Sequence, residues 1–367
     1  MSIMIALVSE QRMQNIIPAF QKDAHFGRVW LVRSTDADDP DSRFGKALRD
    51  TRQALEASLT IQLAEPSVGA YGIEETQRIV SGIIAGAPQD VVINFTGGTK
   101  CMSVGAYLAA QNAGATALYV DTANEKLVWF HPGGRVEEQG FDLAKRLTVR
   151  IYLQANNRRV DEDRTRQNAL PESHHAAARE LLTLWPRCRD TLHALGAEVS
   201  RGGIAPEERV DAETVTLLHR DRFLEQTPQG WQVSSSGRNF LGGKWLDSMA
   251  YVLLEDSGLF DVVQPDLRLQ GVEIELYVLA TRNGQLAVLE CKSGELGGQT
   301  TLNKLQTLGR SLGTFARTFF VTSRTTAQVD QAFRERARQY GVGEIITSDT
   351  LLKAADTIKN KMRGTPR

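Results

Sequence analysis

Cysteine is scarce in this sequence, and the few that occur lie far apart. The chain has 3 cysteines in 367 residues, Cys101, Cys188 and Cys291. None belongs to the closely spaced pairs that build zinc knuckles or disulfide frameworks. We therefore expect no zinc site and no disulfide core, which suits a protein of the reducing cytoplasm.

Long apolar runs and an excess of one charge are also missing. No run approaches the roughly eighteen apolar residues that cross a membrane, and the N-terminus lacks a basic segment followed by an apolar core. The formal net charge is −1, so the whole chain shows no bias toward nucleic acid. From Lys304 to the end, however, the chain has 12 lysines and arginines but only 5 acids. That local excess favours a phosphate-bearing substrate, with a solvated helical face as the alternative.

Apolar runs alternate with helical patterns through the first third of the chain. A continuous apolar run at 3–8 is typical of a parallel strand covered on both faces, and similar strands follow at 29–32, 90–94 and 117–120. This alternation predicts an α/β domain with a mainly parallel sheet. We expect that domain at 1–150, a linker at 151–170, a small helical or winged segment at 171–240 and a second α/β domain at 241–367.

The middle segment gives weaker signals. His174 and His175 have no acid or cysteine ligands nearby in sequence, so we expect them at the surface, at the start of a helix, rather than in a metal site. Short segments over 210–241 are typical of a winged insert. They contain no basic helix that would support DNA binding.

A glycine-rich turn leaves the strand at 90–94 and opens a helix. Two glycines allow close approach of the main chain, and exposed N–H groups at a helix N-terminus suit a phosphate. The turn matches neither the Walker A loop nor GxGxxG, so ATP hydrolysis is not supported; an ordinary glycine turn is the alternative. The residues that we expect to contact a ligand here, with those after the first strand at the same sheet edge, are Ser9, Glu10, Gln11, Thr96, Gly97, Gly98, Thr99 and Lys100.

A charged pair ends the apolar run at 286–289. Strand alternation puts Glu290 and Lys292 on one face and Cys291 on the other. Unpaired charge is costly in a buried strand. The pattern therefore predicts either an ion pair at a strand end or a metal-dependent nuclease centre.

An upstream acid favours the nuclease interpretation. Residues 272–279 alternate like a strand, and Asn283 with Gly284 predicts a two-residue hairpin turn. This hairpin brings Glu275 beside Glu290, with both on one face. Two carboxylates beside a lysine suit a hard divalent cation and a scissile phosphate.

Taken in order, these motifs resemble the CARF-domain nucleases of type III CRISPR systems, in which a Rossmann-like CARF domain is fused to a restriction-endonuclease-like PD-(D/E)xK domain. In the first half the matching residues are 7–11 with Asn15, 94–100 and 119–122. In the second half they are 242–247, 273–275 and 290–294.

The resemblance implies a sensor that binds a cyclic oligoadenylate, most often cyclic tetra-adenylate, across a homodimer. It implies that Asn15 joins the activator-binding residues. It also implies a metal-dependent endonuclease that cuts single-stranded RNA and DNA or nicks DNA. Asp247, Glu275 and Glu290 would hold Mn²⁺ or Mg²⁺, and Lys292 would orient the attacking water or contact the phosphate.

The chain departs from the family pattern at two of these acids. Asp247 stands where a glutamate is usual, and Glu275 where an aspartate is usual. Each exchange keeps the charge and changes the reach of the side chain by one methylene. Two rival functions stay open: a sensor with an inactive nuclease fold that binds DNA without cutting, and a sensor domain that degrades its own cyclic ligand.

Overall fold

Two separate sheets divide the protein into two units. The computed structural model describes residues 2–56, 58–87, 90–143, 145–271 and 275–362. The described residues up to Arg159 form the first unit, and those from Val160 onward form the second. The division therefore falls later than the expected bound at 150. The segment 151–170, expected as a linker, contains the end of one helix and the whole of another, one in each unit.

A sheet of seven described strands forms the middle of the first unit. Its strand order is β3-β2-β1-β4-β5-β6-β7. The first five strands are parallel and the last two antiparallel, which confirms the mainly parallel sheet. The strands are β1 (Ser2–Leu7), β2 (Phe26–Val32), β3 (Thr60–Leu63), β4 (Val91–Asn94), β5 (Thr116–Asp121), β6 (Lys126–Phe130) and β7 (Val136–Gly140).

Five helices accompany this sheet among the described residues. The α3 and α4 helices pack against each other, and α5 packs on α2. Their apolar faces and the buried strands form one core, which includes Ile5, Leu7 and Met102. The helices are α1 (Met13–Ala19), α2 (Arg43–Glu56), α3 (Ile73–Gly86), α4 (Lys100–Ala113) and α5 (Val149–Ala155).

Helices and a small antiparallel sheet form the start of the second unit. The sheet has the order β8-β10-β9. The elements are α6 (Glu162–Asn168), α7 (Glu172–Thr183), α8 (Cys188–Arg201), β8 (Ile204–Ala205), α9 (Ala212–Arg220), β9 (Leu224–Thr227), β10 (Gly230–Val233) and α10 (Gly237–Asn239).

The histidine pair in this segment is buried. His174 packs against the rings of Phe223 and Phe240, with centroids 5.4 Å and 5.1 Å away. His175 lies 4.5 Å from the ring of Tyr251. The expectation of an exposed helix start is therefore wrong, because an aromatic cluster takes both rings into the core. Burial lowers the pKa of His174 to about 4, so the ring is neutral near pH 7.

A five-stranded sheet carries the rest of the second unit, in the order β11-β12-β13-β14-β15. The first three strands are antiparallel and the last three parallel. Its strands are β11 (Val262–Arg268), β12 (Glu275–Arg282), β13 (Gln285–Lys292), β14 (Ala316–Thr322) and β15 (Val342–Ile346). Its helices are α11 (Trp245–Asp256), α12 (Gly298–Ser311), α13 (Gln331–Gln339) and α14 (Ala354–Met362).

One predicted strand and one motif lie partly outside the described residues. Of the strand expected at 272–279, the first three residues, 272–274, are outside them, and so are the first two residues of the motif at 273–275. Within the described ranges, no helix is both long and apolar enough to cross a membrane.

Candidate active site and ligand-binding edge

The β12–β13 hairpin forms as the sequence predicts. Asn283 and Gly284 make a two-residue turn, with φ of 49° and 75°. Both residues therefore adopt the positive φ that the tightest hairpin turns require. Strand pairing runs from Arg282 opposite Gln285 to Val278 opposite Leu289. Continuing this register puts Glu275 across from Lys292.

Glu290 and Lys292 share one face of β13 and form an ion pair. Their side chains approach to 3.0 Å, and Glu290 is 5% exposed. The ammonium of Lys292 also lies 5.5 Å from the ring centroid of Tyr277. Tyr277 and Glu275 belong to β12 and, two residues apart, point to the same face. The hairpin therefore brings these four side chains to one face, with a cation among the acids.

A second lysine, Lys244, neutralises the remaining acids. Its ammonium lies 3.2 Å from Asp247, 3.2 Å from Glu275 and 3.9 Å from Asp266. It also sits 4.2 Å from the ring centroid of Tyr277. Burial by itself would lower its pKa, but the three carboxylates outweigh burial and raise it. Lys244 is thus the common partner of three acids.

An irregular turn before α11 positions Lys244 and Asp247. Residues 240–244 form a π-helical turn, in which Gly243 takes a φ of 136° that side chains rarely adopt. π-Helical turns occur frequently at functional sites. Asp247 follows in the first turn of α11 and is buried. The turn thereby brings Lys244 and Asp247, which both lie at the start of this helix, to the sheet.

Asp266 is an acid held in a strained position. It lies inside β11 with φ of 49° and is 2% exposed. One of its oxygens accepts from the Leu170 amide at 3.4 Å, while Oδ1 has no hydrogen bond among the described atoms. Backbone strain of this kind clusters at functional sites. Burial raises the pKa of Asp266 to about 6.

Asp247 shares its environment with Cys291. Burial raises the pKa of Asp247 to about 7, although Lys244 opposes that rise. Burial and the charge of Asp247 also raise the pKa of the Cys291 thiol well above its usual value. Asp247 therefore contacts a neutral thiol on the opposite face of β13 from Glu290.

The donor set suits a hard divalent cation by chemistry. Carboxylates are the ligands that Mg²⁺ and Mn²⁺ prefer. The buried Oδ1 of Asp266 has no hydrogen bond among the described atoms and faces only the Lys244 ammonium, at 3.9 Å, so it is an oxygen that a cation could take up. In the described ranges, however, no three acidic, histidine or cysteine side chains converge closely enough to enclose a metal ion. Lysines and Arg268, which lies 3.1 Å from Glu275, take up the charges instead.

In the first unit, the ends of β1 and β4 meet at one edge. These strands are parallel neighbours, with Ala6 opposite Asn94. The strand order reverses between them, and such a switch point is where open α/β sheets bind ligands. The turn after β4 and the residues after β1 therefore share one carboxyl edge, as expected.

Close packing explains both glycines of the turn. A Cβ on Gly97 would lie 2.2 Å from the carbonyl oxygen of Leu7. Gly98 has φ of 70°, and its amide donates to the carbonyl of Val8 at 3.1 Å. Thr99 caps α4 by accepting from the Met102 amide at 3.2 Å. The turn is therefore held against the end of β1 by close packing and a hydrogen bond.

The polar side chains of this edge fall into two groups. Asn15 is fully buried, donates to the Leu7 carbonyl at 2.8 Å and accepts from Asn94 at 3.1 Å. The hydroxyl of Thr96 donates to Asn94 at 2.7 Å. Asn15 and Thr96 thus hold the loops together, and Asn15 has no surface to offer a ligand. Glu10, Gln11 and Lys100 are exposed and Ser9 is half-buried.

Comparison with known families accounts for both units. The family model of the Card1 CARF domain matches residues 3–152, and that of the Card1-like endonuclease domain matches residues 234–365. The chain belongs to the CARF-domain nucleases. Its first unit carries the CARF domain and its second unit the endonuclease domain. No curated protein matched the sequence.

Solved structures share the fold over the whole chain. Can2 from Sulfobacillus thermosulfidooxidans, solved with cyclic tetra-adenylate, is 22% identical with a TM-score of 0.66, over 99% of both chains. VC1899 from Vibrio cholerae is 17% identical with a TM-score of 0.71, again over 99% of both chains. A type III CRISPR defence DNA nuclease activated by cyclic oligoadenylate is 19% identical with a TM-score of 0.58, over 88% of this chain and 45% of its own.

The endonuclease domain contains residues that sequence analysis missed. Asp266 and Tyr277 belong to no short motif, and Lys244, although it lies in the matched segment 242–247, was given no role there. Two signals pointed to Lys244 and Asp266: the glycine pair before Lys244, and the Pro265-Asp266 step within a strand. Proline is confined to strand edges, first positions and bulges, so that step marks an irregular strand.

Proposed function

We propose that this protein is a nuclease that a cyclic oligoadenylate, in the first instance cyclic tetra-adenylate, switches on to cut single-stranded RNA or DNA or to nick DNA. One observation carries the proposal. The charged hairpin of Glu275, Glu290 and Lys292 occurs in the same chain as a CARF sheet whose glycine turn packs on the end of β1, at the point where the strand order reverses. Three free cysteines suit a reducing compartment, and we place the protein in the cytoplasm.

The endonuclease domain would work through acids and lysines. Asp247, Glu275 and Glu290 would hold Mn²⁺ or Mg²⁺, which supplies a Lewis acid for the attacking water and the phosphate oxygens. Lys292, already beside Glu290, would donate to the water or to a phosphate oxygen. Lys244 and Arg268 hold Glu275 in place from two sides.

The CARF domain would recognise its ligand chiefly through main-chain groups. The N-terminus of α4 would offer main-chain amides and a partial positive charge to a phosphate, and Lys100 adds a full charge at the surface. Gly97 and Gly98 let this turn pack against the end of β1. Ser9, Glu10, Gln11, Thr96 and Thr99 line the same edge, while Asn15 supports it from below.

A second copy of the chain would complete the sensor. The α4 helix begins at the glycine turn and exposes Val104 and Leu108 one turn apart, at 48% and 39%. Tyr71 is 85% exposed before α3, the helix that packs on α4. Large exposed apolar residues of this kind mark interaction surfaces. A two-fold homodimer through α4 would join two glycine turns around a symmetric cyclic ligand.

Cleavage with and without activator tests the proposal. The purified protein is incubated with fluorescent single-stranded DNA, single-stranded RNA or supercoiled plasmid, and with Mn²⁺ or Mg²⁺. We expect cutting that needs the metal and rises at least tenfold with cyclic tetra-adenylate. Cyclic hexa-adenylate serves as the ring-size control. Binding of activator with no cutting of any substrate would overturn the nuclease, and equal cutting without activator would overturn the switch.

A further inference from the structure

A cavity of about 480 Å³ opens beside the end of the charged hairpin in the endonuclease domain. Gly294 and Glu295, which follow Lys292 directly in the chain, form part of its lining. Two residues span at most about 7 Å. If Lys292 contacts one phosphate of a substrate, the next phosphate along the strand could therefore reach the start of the cavity. Its other lining residues are Arg189, Asp190, His193, Arg324 and Gln328.

Hydrogen bonds fix the floor of this cavity to the end of β13. The strands β13 and β14 are parallel, with Lys292 opposite Thr322. Beyond this pair, the hydroxyl of Ser323 donates to the Ser293 carbonyl at 2.6 Å, and Arg324 Nε donates to the Gly294 carbonyl at 3.2 Å. The guanidinium of Arg324 is thereby held at a set place relative to Lys292.

Of the two arginines that line the cavity, Arg324 leaves terminal donors available and Arg189 is already paired. Within the described part of the chain, the terminal nitrogens of Arg324 make no hydrogen bond, since only its Nε does. Arg189 donates through Nη1 to the Ser348 hydroxyl at 3.2 Å, and its Nε and Nη2 both lie 3.0 Å from Asp190 Oδ1. Asp190 is 81% exposed while Arg189 is 21% exposed. The acid is thus solvated, and the arginine is fixed.

His193 connects the cavity wall to the helix of the active site. Its ring meets the ring of Trp245 edge-on, 6.0 Å between centroids. Trp245 is the first residue of α11 and stands next to Lys244 in the chain. Burial and the charge of Arg189 lower the pKa of His193.

Asp190 and Glu295 also line the cavity, and Asp190 offsets the charge of Arg189. Arg324 is therefore the lining cation that has no ion-pair partner among the described residues.

We propose that this cavity binds a backbone phosphate of a single-stranded nucleic acid, next along the strand from the phosphate that is cut. The inference rests on the proposed nuclease function and names a contact with its substrate. The terminal nitrogens of Arg324 match the geometry of phosphate oxygens, and the cavity begins two residues beyond Lys292 in the chain. A contact to a phosphate that does not react holds substrate and transition state equally, so it acts on KM rather than on kcat.

The test substitutes the arginines in the full-length protein with its activator and metal present. For Arg324→Gln and Arg189→Gln, we expect KM for a fluorescent oligodeoxythymidylate to rise about tenfold, with kcat within about twofold. In the non-cleaving Glu290→Gln background, each variant should reduce the slope of log binding constant against log salt by about 1. Arg324→Lys, which keeps the charge but loses the fork, should recover part of the affinity.

Arg310→Gln is the matched control. Arg310 is exposed in the last turn of α12, and this crossover helix runs toward the start of β14, the opposite end of the strands from Lys292. Oligouridylate replaces oligodeoxythymidylate in a second arm, and equal effects on both strands support a phosphate contact. A fall in kcat at unchanged KM, or KM and salt slope equal to those of Arg310→Gln in variants with wild-type melting temperatures, overturns the proposal. If the wild-type protein cuts nothing, the nuclease function itself has failed.

Discussion

One edge of each main sheet collects polar side chains, but the two edges satisfy them differently. At the edge of the CARF sheet, neutral groups bond to one another and to the main chain: Asn15 to the Leu7 carbonyl and to Asn94, and Thr96 to Asn94. At the edge of the endonuclease sheet, charges are paired instead, with Lys244 and Lys292 set among buried acids.

This difference matches what each edge has to do. A neutral hydrogen-bonded network is fully satisfied without ligand, so it fixes the shape of a loop and leaves the main-chain amides to bind. A buried set of charges is costly to assemble and is sensitive to the loss of any partner. We therefore expect substitutions at the endonuclease edge to be severe and charge-dependent, and those at the CARF edge to be milder and dependent on shape.

The largest expected effect is that of Glu290→Gln. The amide keeps the shape of the side chain but removes its charge, so Lys292 loses its ion-pair partner. We expect metal-dependent cleavage to fall about 10³-fold, while cyclic tetra-adenylate binds as before. Cleavage is measured on single-stranded DNA with Mn²⁺, and activator binding by calorimetry.

Glu335→Gln provides the control for this change, because Glu335 is exposed on α13 in the same domain. It should cut at the wild-type rate. If Glu290→Gln kept more than a tenth of the activity, Glu290 would be only the strand-end ion pair of the alternative interpretation, and the contrast between the two edges would collapse.

Lys244→Met should have the next largest effect. The substitution leaves Asp247, Asp266 and Glu275 without their common cation. Removing one partner of a buried ion pair costs about 3 kcal/mol, which urea unfolding at pH 8 would measure. The pKa values of Asp247 and Asp266 are already raised to about 7 and 6, and losing Lys244 raises them further. The folded state then takes up protons more readily, so the loss of stability should shrink from pH 8 to pH 5.

Lys353→Met is the control, because Lys353 is exposed. It should leave the free energy of unfolding within about 0.5 kcal/mol of the wild-type value at both pH values. Equal losses for Lys244→Met at pH 8 and pH 5 would argue that Lys244 contributes packing rather than charge. Added Mn²⁺ should stabilise Lys244→Met more than the wild type, since a cation site is then free.

Sequence patterns sufficed for the parts of these edges that depend on local geometry. The period of two along residues 286–292 and the Asn283-Gly284 turn fix which side chains share a face of the hairpin. Alternating strands and helices likewise place the ends of β1 and β4 together at a switch point. Both inferences need only chain connectivity and strand pairing, and the structure confirms them.

Tertiary packing decided what sequence patterns left open. Asn15 is as polar as Gln11, yet one is buried beneath the loop and the other exposed, because α1 turns the asparagine toward β1. Lys244 pairs with acids on β11 and β12 only because a π-helical turn redirects it. The burial of His174 depends on Phe223 and Phe240, which lie far along the chain. No local pattern encodes these contacts.

Gly97→Ala should have the smallest effect of the three and bears on the other edge. The new methyl group would lie 2.2 Å from the Leu7 carbonyl oxygen, so the turn must move away from β1. We expect the activator concentration for half-maximal cleavage to rise about tenfold, with cleavage at saturating activator unchanged. Gly82→Ala is the control, because a Cβ there has no neighbour within 4 Å.

Lost cleavage at saturating activator in Gly97→Ala would show that the turn contributes more than ligand binding. An unchanged activation curve would show that the activator does not depend on this turn, and the glycines would then serve only the packing of β1 against β4.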